Sequence, residues 1–279
     1  MNTPPGSERS DSESSARSSV ASSDYWLRFL GVGSAQAVEL GAPSAVLEHK
    51  GQPLLMIDCG GEALSAYLAH YQSLPPALFI THTHFDHIGG MERLFFRSYF
   101  DGETRGKLRL IVPASVVPWL QARVADYPGV LAEGGANYWD AFQLIPCSRG
   151  FWLAGLWFDV FATRHHQPGT AYGLALPGSF VFTGDTRPIP ELLETRPTSE
   201  TVCHDCGLLG NPSHSGIDDL EREYSAALRS RLLLYHYGSA ADGEALRRRG
   251  YRVAVAGQLE PLPVPLVAPL DETLPNLTA

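Results

Sequence analysis

Residues 81–90 read "THTHFDHIGG" and put His82, His84, Asp86 and His87 within six consecutive positions. Neutral imidazole and carboxylate are the groups that hold divalent ions while leaving coordination positions open to water. "ALFITHTH", residues 77–84, reads as a strand that delivers the cluster, and a strand that alternates faces turns His82 and His84 to the same side. Asp86 and His87 follow in the turn, placed to face a second ion. Hydrogen-bonded loop histidines would look the same over so short a stretch, so the rest of the chain has to decide.

Outward from this cluster, short β-like runs alternate with helix-like ones. Upstream, "WLRFLGVG", "SAVLEH" and "PLLMIDCG" read as strands and "EALSAYLAHY" as a helix. Downstream come a helix from about His87 to Phe96, a strand "LRLIVP" and a helix "SVVPWLQARVADY". The second half runs through "LWFDVFATRHH", "AYGLALP" and "SFVFTGDT" as consecutive strands, then "TVCHDC", a helix "DDLEREYSAALRS", a strand "RLLLYHY" and a helix "GEALRRRG". Strand-rich halves each followed by helices predict an α/β protein of two packed sheets with helices outside. Residues 1–24, rich in serine and charge and nearly empty of large apolar groups, read as a disordered tail. Residues 25–268 read as one domain and 269–279 as a C-terminal tail, with no internal repeat.

The 279 residues are 44% hydrophobic, enough for a full core in one large domain. A formal net charge of -9 offers no broad field to a polyanion, which argues against a large nucleic acid as partner. No stretch nears the ~20 apolar residues of a membrane span and no signal-peptide core stands at the start, so a cytoplasmic protein with no membrane partner is expected. Four cysteines are too few for a disulfide framework, and Cys203-His204-Asp205-Cys206 lacks the second C-x-x-C of a zinc knuckle. "GVGSAQ", residues 31–36, begins like a phosphate-cradling loop, but Gln36 stands where the third glycine belongs and no helix pattern follows.

All ten histidines except His70 fall at predicted strand ends or in loops. With its His-x-His-x-Asp-His spacing, "THTHFDHIGG" resembles the signature of the metallo-β-lactamase superfamily, and further motifs follow in that family's order. "TRHHQPGTAYG" resembles the third-histidine motif, "FTGDTRP" the bridging-aspartate motif, "VCHDC" and "NPSHSG" two loop motifs, and "LLLYHYGS" the final histidine. The resemblance covers about Trp26 to Val255 and implies a four-layer αββα sandwich. It implies one ion on His82, His84, His165 and Asp185, and a second on Asp86, His87, Asp185 and His236. The spacing from His165 to Pro168 is similar to the His-x-x-Pro of the ribonuclease Z and small phosphodiesterase branch and selects His165 as the ligand. His166 then falls to the substrate side, as does Tyr172 of the same motif. His204 and Asp205 resemble that branch's His-Glu pair with a carboxylate one methylene shorter, which makes His204 the expected general acid. His214 matches a family histidine that faces substrate.

The resemblance thus implies a dinuclear metal-dependent hydrolase in which a metal-bridging hydroxide, oriented by Asp86, attacks an ester. Zinc is the first expectation for the two divalent ions, and manganese and iron suit the same ligands. Pro168-Gly169-Thr170-Ala171 lacks the Pro-Gly-His-Thr of the lactonase and glyoxalase branch, and the 20 positions from His165 to Asp185 leave no room for a tRNA-gripping arm. A small molecule is therefore the expected partner, a small phosphodiester first, with lactonase, thioesterase or β-lactamase-type acyl hydrolysis as the alternatives. A non-catalytic, metal-stabilised binding module is the remaining reading, although closed structural sites leave no water position. A homodimer is allowed, but nothing in the sequence sets the oligomeric state.

Overall fold

The computed structural model describes residues 24–126, 130–131 and 134–266. Apart from Asp24, the two expected tails lie outside the described residues. In chain order the strands are β1 (Tyr25–Gly31), β2 (Ser44–His49), β3 (Gln52–Ile57), β4 (Ala77–Phe79), β5 (Leu108–Pro113), the short pair β6 (Val130–Leu131) and β7 (Gly134–Gly135), and β8 (Phe142–Cys147). There follow β9 (Gly150–Leu153), β10 (Leu156–Ala162), β11 (Tyr172–Leu176), β12 (Phe180–Phe182), β13 (Thr201–Asp205), β14 (Leu232–Tyr235), β15 (Arg252–Val253) and β16 (Leu259–Pro261). Two seven-stranded sheets result, ordered β16-β1-β2-β3-β4-β5-β8 and β15-β14-β13-β12-β11-β10-β9.

Period-two alternation sets the layers. Leu27, Phe29, Ala45, Leu47, Leu55, Ile57 and Phe79 point into the core shared with the second sheet. Leu30, Val46, Met56 and Leu78, one step out of phase, join a separate core with Leu64 and Tyr67 of helix Ala63–Tyr71 and Leu94 and Phe95 of helix Met91–Tyr99. Strands buried on both faces read as nearly continuous apolar runs, which is why "SAVLEH" shows no polar alternation. On the far side of the second sheet, Leu193, Leu220, Leu228 and Leu246 come from helices Pro190–Leu193, Ile217–Glu223, Ala226–Arg229 and Ala240–Arg248. The architecture is the four-layer αββα sandwich.

Strand direction positions the site. β10 and β12 each run antiparallel to β11, while β12, β13 and β14 are mutually parallel, so β10, β12, β13 and β14 all end on one edge. In the first sheet β3, β4 and β5 are likewise parallel. The carboxyl ends of parallel strands are where α/β sheets leave room for ligands.

Several sequence expectations change in detail. The strand before the histidines stops at Phe79, so His82 and His84 ride on a loop rather than on alternating strand positions. Likewise β10 stops at Ala162, short of the His165-His166 pair. The helix expected from His87 to Phe96 is two pieces, Phe85–Ile88 and Met91–Tyr99, parted at Gly89-Gly90. The one expected over 218–230 breaks where Tyr224 turns extended and the Ser225 hydroxyl caps a new helix through Leu228 N–H. The structure adds β8 and β9 at the sheet edges, where Pro146, next to last in β8, is tolerated.

One close approach ties the loop after β3 to the loop that carries His82 to His87. A Cβ on Gly60 would stand 2.0 Å from the Asp86 carbonyl oxygen and 2.3 Å from Ala42 Cβ, which only a hydrogen can satisfy. Gly60→Ala is expected to cost about 1–3 kcal/mol and to lower Tm by about 2–4 °C per kcal/mol. Thermal unfolding checks this, and an unchanged Tm would show that the two loops can part.

Candidate metal centre

The loops at this shared edge bring the chemistry together. His82, His84, Asp86 and His87 follow β4; Asp185 follows β12, His165 follows β10 and His236 follows β14. His82, His84, His165 and Asp185 each place a ligand atom within 4.8 Å of the others, as do Asp86, His87, Asp185 and His236. Asp185 belongs to both groups. In the first, His84 Nδ1 stands 3.2 Å from His82 Nε2 and from His165 Nε2, and Asp185 Oδ2 stands 3.6 and 3.7 Å from the same two nitrogens. In the second, His87 Nε2 is 3.3 Å from Asp185 Oδ1 and 3.6 Å from Asp86 Oδ2, and His236 Nε2 is 3.4 Å from Asp185 Oδ2 and 3.5 Å from Asp86 Oδ2. Donors about 2.0–2.1 Å from one tetrahedral ion stand about 3.3 Å apart, so both groups have the right spacing.

Hydrogen bonding supports the same fit. Both Asp185 oxygens, His87 Nε2 and His236 Nε2 are buried without a hydrogen-bond partner, a loss of about 1–3 kcal/mol each if nothing charged met them. The other nitrogen of each of four rings faces an oxygen. His165 Nδ1 donates to the Ser213 carbonyl at 3.0 Å, His87 Nδ1 to Asp58 Oδ2 at 2.7 Å, and His236 Nδ1 faces Asp205 Oδ1 at 3.3 Å. Thr81 Oγ1 gives its proton to Asp58 Oδ2 at 2.7 Å and so accepts from His82 Nδ1 at 3.0 Å. Oxygens that can only accept fix the proton on Nδ1 and leave the Nε2 lone pair for an ion. The donor set fits divalent cations.

The backbone is strained to achieve this. Asp58 and His236 hold φ of 59° and 66°, left-handed values that a residue with a Cβ adopts at a cost. Gly184 precedes Asp185 at φ 62°, where a Cβ would also meet the Tyr172 carbonyl oxygen at 2.9 Å.

Charge divides the imidazoles into two kinds. Burial, aided by neighbouring imidazoles, holds His82 well below its ordinary value and lowers His165 to about 4, so both are neutral. For His87 and His236 burial acts against the charged form, but Asp185 together with Asp58 beside His87, and with Asp205 and Asp86 beside His236, outweighs it and raises both well above the ordinary value. Asp185 itself is pushed up by burial and pulled further down by His236 and His87, ending well below the usual carboxylate range.

The Anti-Pycsar protein Apyc1 family model matches residues 25–259. The chain belongs to that family. A relative of that name from Saccharibacillus brassicae is 30% identical over 223 residues, which cover 76% of this chain and 89% of that protein. Among solved structures, the metallo-β-lactamase fold protein YhfI from Bacillus subtilis aligns over 84% of this chain and 98% of its own at 16% identity and a TM-score of 0.65. A diphosphatase from the PhnP family aligns over 87% and 99% at 18% identity and a TM-score of 0.67. These structures show that the Apyc1-family chain has the metallo-β-lactamase fold that "THTHFDHIGG" led one to expect.

Not every candidate residue of this Apyc1-family chain reaches the centre. His204 is a correction: it lies on β13 with its side chain opposite to that of Asp205, fully buried, with Nδ1 on the Asp205 carbonyl and Nε2 on the Tyr224 hydroxyl, each at 2.7 Å. The partner of Asp205 is instead His214, whose Nδ1 donates to Asp205 Oδ2 at 2.9 Å. Burial works against a charged His214, but the Asp205 hydrogen bond and charge prevail and raise it. His166 lies beside His84, Nε2 to Nε2 at 3.0 Å, and borders a neighbouring hollow of about 580 Å³. Tyr172 turns its hydroxyl to Ser115 Oγ at 2.7 Å, away from the main cleft. Cys203 and Cys206 are buried free thiols and join none of the metal-capable groups among the described residues. The sequence reading missed Asp58 and the cleft wall at Ser34–Val38, which overlaps "GVGSAQ", residues 31–36. An aspartate ending an apolar strand, "LLMID", was the available signal for Asp58. No helix among the described residues is long and apolar enough to cross a membrane.

Metal uptake at His87 and His236 would displace the protons that Asp185 and the neighbouring carboxylates hold there. Affinity at that group is expected to rise with pH, about tenfold per unit for each proton displaced, until pH passes the raised values. Calorimetric titration in buffers of different ionisation enthalpy counts the protons, and pH-independent uptake would show both imidazoles already neutral. Asp58→Asn, which weakens the hold on His87 and Thr81, is expected to cost about 10–100-fold in metal affinity; retained affinity in the folded variant would remove Asp58 from the ligand support.

Proposed function

We propose that this chain is a two-metal phosphodiesterase acting on a small phosphodiester, with zinc the first choice of ion. The observation that carries the reading is the bare, buried Asp185 carboxylate shared by two ligand groups at the floor of an open cleft of about 1250 Å³. A closed structural site would have surrounded each ion with protein ligands and would not face a cleft. Five of the seven candidate ligands are buried, and His84 and Asp86, half-buried, open to the cleft with His214. That geometry suits a compact diester with an accessible phosphoryl edge, such as a nucleoside cyclic monophosphate.

When bound, the two ions activate water and neutralise charge growing on the phosphoryl oxygens. The chain's own residues do the rest. Asp86, on the cleft side of the second ligand group, orients the attacking water, whose oxygen forms the new bond to phosphorus as the ester bond breaks. His214 takes the general-acid role once expected of His204. With Nδ1 fixed on Asp205, its Nε2 is the nitrogen left to carry a proton to the leaving oxygen.

Metal-loaded protein is expected to turn over nucleoside cyclic monophosphates and bis-p-nitrophenyl phosphate ahead of lactones, thioesters and a β-lactam in a parallel panel. Turnover confined to the acyl substrates would replace this reading with acyl hydrolysis, and bound metal without any turnover would favour a binding module. Asp185→Asn should lower activity by orders of magnitude and lose metal. His214→Gln should slow diesters with alkoxide leaving groups by about 10²–10⁴-fold and p-nitrophenyl esters far less, because p-nitrophenolate leaves without a proton. Equal losses on both would remove His214 as the acid.

A further inference from the structure

We propose that Phe85 and Arg123 form a subsite for an aromatic ring of the substrate, the nucleobase of a nucleotide diester, a proposal that rests on the phosphodiesterase reading above. Phe85 is the residue between His84 and Asp86, at the start of helix Phe85–Ile88. Its neighbours turn to the metal centre and Ile88 and His87 are buried, yet the Phe85 ring is 60% exposed and lines the cleft. A phenylalanine kept for packing would be inside. Directly beside the reacting centre, it offers a flat apolar face to whatever the phosphoryl group carries.

Arg123 stands over that ring, its guanidinium carbon 5.6 Å from the centroid, within cation–π reach. It is the one lysine or arginine among the described residues lining the cleft, where Glu62, Asp86, Asp205 and Asp242 supply opposite charge. No ion pair holds it among the described residues. Its place is a π-helical turn, Gln121–Ala125, an irregularity that re-aims side chains and recurs at functional sites. A guanidinium only donates, so Arg123 can meet carbonyl or phosphate oxygens of the ring-bearing group that Phe85 stacks. Val38 and Leu209, 64% and 85% exposed, add apolar surface to the same cleft.

The test compares two diesters with one leaving group, thymidine 5′-(p-nitrophenyl phosphate) and methyl p-nitrophenyl phosphate, at matched metal content and Tm. Phe85→Ala and Arg123→Gln are each expected to lower the nucleoside-to-methyl ratio of kcat/KM about tenfold, through KM, as loss of one base–aromatic stack would. Phe85→Trp should restore it. Calorimetry with thymidine 5′-monophosphate gives a readout independent of turnover and should show about tenfold weaker binding for Phe85→Ala. An unchanged ratio, an equal loss on both esters, or unaltered nucleotide binding overturns the subsite. If the wild type hydrolyses neither ester, the phosphodiesterase reading fails, and the calorimetry still decides whether Phe85 and Arg123 hold a nucleotide.

Discussion

The second sheet delivers a carboxylate, Asp185, to a buried point where neither of its oxygens finds a hydrogen bond, and most of the site's construction follows from compensating that charge. An isolated buried anion is among the most expensive features a protein can carry. Five imidazoles and a second carboxylate surround it: His82, His84 and His165 on one side, His87, His236 and Asp86 on the other. In the absence of ions, protons on His87 and His236 meet the charge. Divalent cations at the spacing the ligands provide would meet it more fully, while keeping the charge available for chemistry.

Holding so many polar groups in place requires a further ring of support, and the two sheets share that work. Asp58, from the end of β3, receives Thr81 N–H at 2.8 Å and the Thr81 hydroxyl, and also takes His87 Nδ1. Asp205, from the end of β13, takes His214 Nδ1 and Thr186 N–H at 2.9 Å and faces His236. Besides Asp185, each sheet thus supplies one fully buried carboxylate that orients imidazoles from its own side. The left-handed backbone at Asp58 and His236 is the strain this arrangement leaves behind, tolerated because packing on both faces of each sheet over-determines it.

The cleft outside the centre has a different character. Ser34 to Val38 form one wall, and Phe85, Arg123 and Leu209 are exposed there, with no role in the packing of either core. Under the proposed function, buried ligands at the floor would serve bond breaking and exposed groups at the mouth recognition, so substrate preference could change without disturbing the ligands.

What the sequence alone determined was whatever depends on residue type and short spacing. The run from His82 to His87, "FTGDT" and the apolar runs of the central strands identified the fold and named the residues that the structure groups around Asp185. Short-range pattern suffices there because ligand chemistry demands particular side chains and a doubly buried strand demands continuous apolar residues. Tertiary structure alone decided which side chains face one another across the sheets. The sequence made His204 the expected general acid and His214 a substrate-facing residue; the pleat of β13 turned His204 into the core against Tyr224, and the loop after β13 brought His214 to Asp205. Asp58, Ser34–Val38 and the Phe85-Arg123 pair stayed hidden for the same reason, since each acquires its role from a neighbour distant in the chain, and no local pattern records a contact that only sheet packing creates.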